Sequence, residues 1–309
     1  MSVAFDDNVD LTVEIGFDSD PFDETQTFTD VSQYVRQFST NRGRVNELGQ
    51  FGAGSAQVML SNADNRFNPS QTTYYYDTAN NRTKIQPLKR IRISATYSST
   101  PYVLFEGFLD TIPVVFTAQG SDSIVTFHAT DAFKVLQSGT LDSRSWRLGR
   151  GGFSELGTST RLGYEDLTEL SSDRVTRILN AIGFPSNRRD ILTGTVNVQQ
   201  QDLTDNILSA IRQIELAENA QFFISADGKA TFRNRNYRLG NTKAINVQGT
   251  FSNTGTDLPF TDVGLSLDDN EIINVYEWTR QGGSTQYISD ADSVTRYTAK
   301  GSIKSTINT

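Results

Sequence analysis

The sequence predicts an α+β protein, mainly β. An N-terminal antiparallel barrel or sandwich is followed by a helix-plus-hairpin region and then by further strands. Three observations predict it: short alternating runs over the first 136 residues, helical periodicity within residues 173–235, and a return to alternation afterwards. Nothing in the composition opposes a globular chain. The 309 residues are 36% hydrophobic, and no apolar run approaches the roughly 20 residues of a membrane helix. The start, MSVAFDDNVDLTVEIGF, lacks the basic region and apolar core of a signal peptide.

Each element has a local reason. VDLTVEIGF puts Val9, Leu11, Val13, Ile15 and Phe17 on one face, and SAQVMLS does the same with Ala56, Val58 and Leu60. KRIRISATY sets Ile91, Ile93, Ala95 and Tyr97 against Arg90, Arg92, Ser94 and Thr96; YVLFEGFLD and SIVTFHATD continue the pattern. Turn-rich NRG, NADNRFNP, SST and AQGSD separate these strands. Residues 137–172 are rich in Gly, Ser, Thr and Arg without a period and read as a linker or excursion. Next, SSDRVTRILNAIGFP predicts a helix with Val175, Ile178, Leu179 and Ile182 on one stripe, capped by Ser172 and stopped by Gly183 and Pro185. A second helix carries Ile207, Leu208, Ile211 and Ile214 behind a Thr204 cap. Asp227-Gly228 joins two alternating runs, predicting a two-residue type I′ hairpin with positive φ at Gly228. DVGLSL and IINVYEWTRQ read as strands, and residues 290–309 as a helical turn and a last strand. The organisation expected is therefore 1–136, 137–172, 173–235 and 236–309.

Chemistry is hard to place. Gly52-Ala53-Gly54 opens a strand, position 57 is Gln, and no Lys-Ser/Thr follows, so both nucleotide-loop patterns fail. Gly49, Gly52 and Gly54 are read instead as permitting a bulge or tight corner. Asn62 and Asp64 lack the Gly and closing Glu of a calcium loop, and an Asx-built turn ended by Pro69 is the reading. His128 is the only histidine and there is no cysteine, so a nucleophile–histidine pair could use only His128, which reads as a packing or hydrogen-bonding residue. No disulfide or thiolate metal site is possible, which fits synthesis in a reducing compartment. No catalytic, cofactor or metal residue is assigned. The net charge of −8 argues against general nucleic-acid binding. The local Arg144, Trp146, Arg147 and Arg150 cluster reads as a subunit-contact loop.

DVSQYVRQFSTNRGRVNELGQFGAGSAQVMLSNADNRFNP resembles the N-terminal signature of minor tail and baseplate hub proteins of long-tailed bacteriophages. The positions are Arg42, Gly43, Arg44, Glu47, Leu48, Phe51, Ala53, Gly54, Asp64, Arg66, Phe67 and Pro69. PLKRIRISATY, LFEGFLD, TFHATDAFKVL, RILNAIGFP, FFISADGKATFRNR and LPFTDVGLSLDDNEIINVYEWTRQGG follow in the family's order. The resemblance implies a structural virion protein at the tail tip, made in the bacterial cytoplasm, without enzymatic activity or cofactor. It implies a ring of three copies, or six for the alternative distal tail ring protein. The partners implied are the distal tail protein, the tape measure protein and fibre or tip proteins, with DNA only as passing cargo and no membrane span. Relatives often continue past the Ser293–Gly301 block, which implies that a closing element is missing or comes from another subunit. The competing readings are a tail-tip cell-wall hydrolase and a receptor- or carbohydrate-binding module.

Overall fold

Strands of alternating polarity dominate the computed structural model, which describes residues 9–44, 49–97, 99–115, 123–139, 169–198, 206–252, 258, 260, 262–264, 272–280, 284–299 and 302–307. The chain divides into two compact units, residues 1–235 and 236–309.

The first unit begins with β1 (Val9–Ile15), β2 (Thr29–Asp30), β3 (Val35–Asn41) and β4 (Ser55–Ser61). A two-strand excursion, β5 (Tyr76–Asp77) and β6 (Arg82–Thr83), precedes β7 (Arg90–Tyr97), β8 (Thr100–Thr111), β9 (Val114–Val115) and β10 (Ile124–Thr130). They form one antiparallel sheet ordered β2-β1-β7-β8-β10-β4-β3, with β9 beside β10 and β5–β6 apart. Register puts Val13 opposite Ile93 and Val58 opposite Phe127, so the alternating apolar positions share one face. Val13, Ile15, Val58, Leu60, Ile91, Ile93, Phe105 and Phe127 are fully buried there.

The expected barrel is not closed. The chain from Thr29 first pairs with β1, with Asp30 opposite Glu14 and the Val31 amide on the Val13 carbonyl. A 3₁₀ turn at Ser32–Tyr34 then turns it away to pair with β4 as β3. The Val13 amide is taken by the Ser32 hydroxyl at 2.9 Å, which ends the pairing.

The rest of this unit packs against the same sheet. It comprises α1 (Phe133–Ser138), β11 (Glu169–Leu170), α2 (Ser171–Ala181), β12 (Arg189–Ile191), β13 (Asn197–Val198), α3 (Ile207–Glu218), β14 (Gln221–Ile224) and β15 (Ala230–Arg233). The stripe residues Val175, Ile178, Leu179, Ile207, Ile211 and Ile214 bury against Phe222 and Phe232, and Phe108, Phe133 and Leu136 belong to the same cluster. Helix ends follow simple chemistry. Gly183 at φ +68 closes α2, with the Phe184 amide on the Leu179 carbonyl. Asn219 at φ +56 plays that part for α3. Asn206, rather than Thr204, caps α3 by accepting from the Leu208 amide at 2.9 Å; Thr204 lies outside the described residues. Helix α2 starts at Ser171, with Leu170 at the cap position, so Ser172 is already helical. Of the expected linker, Glu169–Leu170 pair with β13, and residues 140–168, with Arg144, Trp146, Arg147 and Arg150, lie outside the described residues.

In the second unit, α4 (Tyr237–Gly240) and α5 (Thr242–Ile245) precede β16 (Val275–Arg280), β17 (Thr285–Ser289), α6 (Ala291–Tyr297) and β18 (Ser302–Ile307). β16 is central, antiparallel to β17 and parallel to β18. Asp290 caps α6 by accepting from the Ser293 amide at 3.0 Å.

Candidate functional site

The motif positions of residues 42–69 fall into three clusters, and each cluster ties elements together. The first surrounds the start of β4. Gly43 has φ +116, a conformation that favours glycine, and its carbonyl accepts from the Gly52 amide at 3.3 Å. Gly54 faces a different constraint. A Cβ there would lie 2.8 Å from Asp131 Oδ2 and 3.0 Å from Arg42 Cγ. That space is needed because Asp131 Oδ2 accepts from the Gly54 amide at 2.7 Å, while the Asp131 amide donates to the Gly54 carbonyl at 2.9 Å. Asp131 Oδ1 also takes the Phe133 amide at 3.0 Å, so this carboxylate fastens β4, the end of β10 and the start of α1. Burial pushes the Asp131 carboxyl up to about 6; the Gly54 and Phe133 amides and the Arg42 charge pull the other way.

The second cluster reaches the helices. The Arg44 guanidinium lies 5.2 Å from the centre of the Phe51 ring, and Phe51 in turn meets Phe223 of β14 at 4.8 Å between ring centres. The Phe51 carbonyl accepts from Arg212 of α3. Glu47 and Leu48 lie outside the described residues.

The third cluster is the turn after β4. Asn62 Oδ1 accepts from the Phe67 amide at 2.9 Å, and Asp64 Oδ1 from the Arg66 amide at 3.2 Å, giving the Asx-built turn. Phe67 is fully buried, edge-on to Phe127 at 5.8 Å and beside Tyr34 and Tyr75. Arg66 lies over the Tyr34 ring at 4.2 Å and the Tyr74 ring at 5.0 Å, and its Nε bonds Asp64 at 2.7 Å. That bond holds the Asp64 carboxyl below the usual range. Pro69 occupies the second position of a turn closed by the Gln71 amide on the Asn68 carbonyl at 2.9 Å, where its fixed φ suits the backbone.

Asp227 and Gly228 lie in the β14–β15 turn, but the turn is not the two-residue type I′ expected. The Gly228 amide bonds the Ser225 carbonyl and the Ser225 amide bonds the Lys229 carbonyl, each at 3.0 Å, leaving a three-residue loop. Gly228 has φ +73 and Asp227 is not among the positive-φ residues, the pattern of a type I turn followed by a glycine bulge. Tertiary contact adds a reason for glycine: a Cβ at 228 would sit 3.3 Å from Glu106 Cβ.

Glu106 was not singled out by the sequence. It is buried, and it pairs with the equally buried Arg90 and with Arg188 from the turn before β12. Arg188 also donates to the Asp227 carbonyl at 2.8 Å, so this cluster joins sheet, helical layer and hairpin. Burial lowers Arg90 to about 10, against the pull of Glu106. Alternation placed Arg90 opposite Ile91 but could not show that the second face is covered as well. Asp131 had a local signal, an acid two residues before α1 with its apolar Phe133, Val135 and Leu136.

His128 faces away from the core, opposite Gln57 of β4 and Thr111 of β8. It lines a shallow polar groove of about 330 Å³ with Ser39, Asn41, Ser55 and Asp110. Among the described residues no three His, Asp or Glu side chains converge to hold a metal ion, and no helix is long and apolar enough to cross a membrane. The clusters position backbone and join layers.

The same fold occurs in a bacterial tail protein and in a chain of the PdpA-VgrG complex. A tail protein from Neisseria meningitidis superposes with a TM-score of 0.53 at 7% identity, over 97% of this chain and 72% of that one. A chain of the Francisella PdpA-VgrG complex superposes with a TM-score of 0.50 at 10% identity, over 97% of this chain and 44% of that one. No family model and no curated protein sequence matches the chain.

Proposed function

We propose that the chain is a structural, non-enzymatic subunit of a phage-type tail, acting as the hub of the tail tip. The observation that carries this reading is the shared fold: the likeness to the Neisseria tail protein extends over 97% of the chain. The clusters around Asp131, Phe67 and Glu106 support it, since they use the motif residues to brace sheets and helices. A hub closes a ring, because an open head-to-tail contact would give filaments. Three copies, each with β-rich regions at residues 1–136 and 236–309, would present six units to a sixfold tube. The distal tail protein above, the tape measure protein inside and the tip or fibre proteins below are its partners. The net charge of −8 suits a lumen that DNA crosses without specific contact.

The test is a reconstruction of the tail particle. Threefold copies of this chain at the tip are expected. Six copies in a ring above the tip would move the assignment to the distal ring protein, and absence from the particle overturns the reading. The purified chain is also expected to leave peptidoglycan intact; cleavage abolished by one Asp or Glu substitution would assign it to the hydrolases instead.

A further inference from the structure

We infer that the free edge of β3 is an assembly edge, which pairs antiparallel with the free edge of β1 in a second copy of the chain. The inference rests on the reading of the chain as an assembly subunit and specifies the contact.

Among the described residues, the divergence of β3 from β1 leaves two unpaired edges. β3 pairs with β4 alone, and Gln37–Asn41 make no further backbone bond among the described residues. β1 pairs with β7 along its whole length, but on its other side the pairing covers only Val13–Ile15. Among the described residues the Val9–Thr12 edge is therefore open. Open edges invite strand addition unless they are blunted by proline, lysine or a bulge. The outer end of β8 is blunted. Among the described residues, Thr100–Gly107 of β8 has no partner strand but β7, and its free side carries Pro101 next to the Tyr97–Thr100 pair that closes the hairpin. β3 has no such guard after its one irregularity between Val35 and Gln37: from residue 37 it reads Gln-Phe-Ser-Thr-Asn, without proline or charge.

The faces also match. Phe38 points to the core side, opposite Val58, yet is 37% exposed. Val9 and Tyr97 point to the core side of the β1–β7 pair and are 54% and 48% exposed. Joining β3 of one copy to β1 of the next puts these three side chains on one continuous apolar face. The same join places polar Ser39 and Asp10 together on the other face. Strand directions agree: through the antiparallel ladder β1-β7-β8-β10-β4-β3, β3 runs opposite to β1. The contact is heterologous, and repeating it closes a ring where the rotation between neighbouring copies divides a full turn.

The chain has no cysteine, so single-cysteine variants report the contact cleanly. Full-length Ser39→Cys and Asp10→Cys are mixed and treated with a short bis-maleimide. A cross-linked product from the mixture, but from neither variant alone, is expected. Phe38→Asp introduced into the Ser39→Cys chain should lower that yield at least tenfold with an unchanged circular dichroism spectrum. Cross-linking of Ser39→Cys with itself would show a β3–β3 contact and overturn the inference, as would no product at protein concentrations up to the solubility limit. A chain found at the tail tip in threefold order, but without this cross-link, sinks the edge pairing alone; absence from the particle sinks the functional reading.

Discussion

Phe67 shows how much one residue of the turn after β4 carries. Its ring is fully buried against Phe127 and Tyr34, and its amide holds the turn through Asn62. Phe67→Ala should cost about 3–5 kcal/mol, read as a fall in denaturation midpoint with unchanged m-value. Asp131 gives a pH signature of unusual sign for a carboxylate. Its folded pKa is raised to about 6 from 3.8, so the folded state takes up the proton first. Stability is then gained as pH falls from about 6 towards 4, by up to about 3 kcal/mol, and is absent above that window. Asp64, Asp190 and Asp227, held low by their arginine, lysine and serine partners, lose stability only below it. In urea melts between pH 7.5 and 4.5, wild type should gain stability relative to Asp131→Asn as pH falls; parallel curves would remove Asp131 as the source. Gly228→Val meets both φ +73 and the Glu106 side chain, and should destabilise by about 1–3 kcal/mol.

At the scale of elements, the buried Arg90–Glu106–Arg188 cluster links the long hairpin β7–β8 to the turn before β12. Removing the carboxylate leaves two arginines facing each other away from water. Glu106→Ala should cost about 3–5 kcal/mol, and Glu106→Gln less, because the amide oxygen still accepts. Thermal melts of both variants check the order. Helices α2 and α3 and the β14–β15 hairpin were legible, because their stripes, αL residues and turn glycine are local signals. The turn type was not: Ser225 bonds Lys229 through its amide and its hydroxyl, which closes a three-residue loop that Asp-Gly alone does not specify. The departure of β3 from β1 was not legible either, since it depends on a Ser32 hydroxyl capturing the Val13 amide 19 residues away.

Across the whole molecule, burial is uneven. Among the described residues the fully buried apolar side chains end at Phe232, and within residues 236–309 Val247, Phe251 and Val263 are 83%, 65% and 60% exposed. Limited proteolysis of the full chain should therefore cut first within 236–275 and leave a core ending near Arg235. Early cuts inside β7–β8 would contradict this. The sequence alone determined the mainly β character, the two helices and the places of the turns, because each depends on residue period and on glycine, proline and Asx residues within a few positions. It also withheld any local catalytic pattern. Tertiary structure decided that the sheet stays open, that Arg90 and Glu106 are buried, and that Gly54 and Asp131 fasten β4 to α1. Those outcomes depend on groups 16 to 77 residues apart meeting in space, which no local period records.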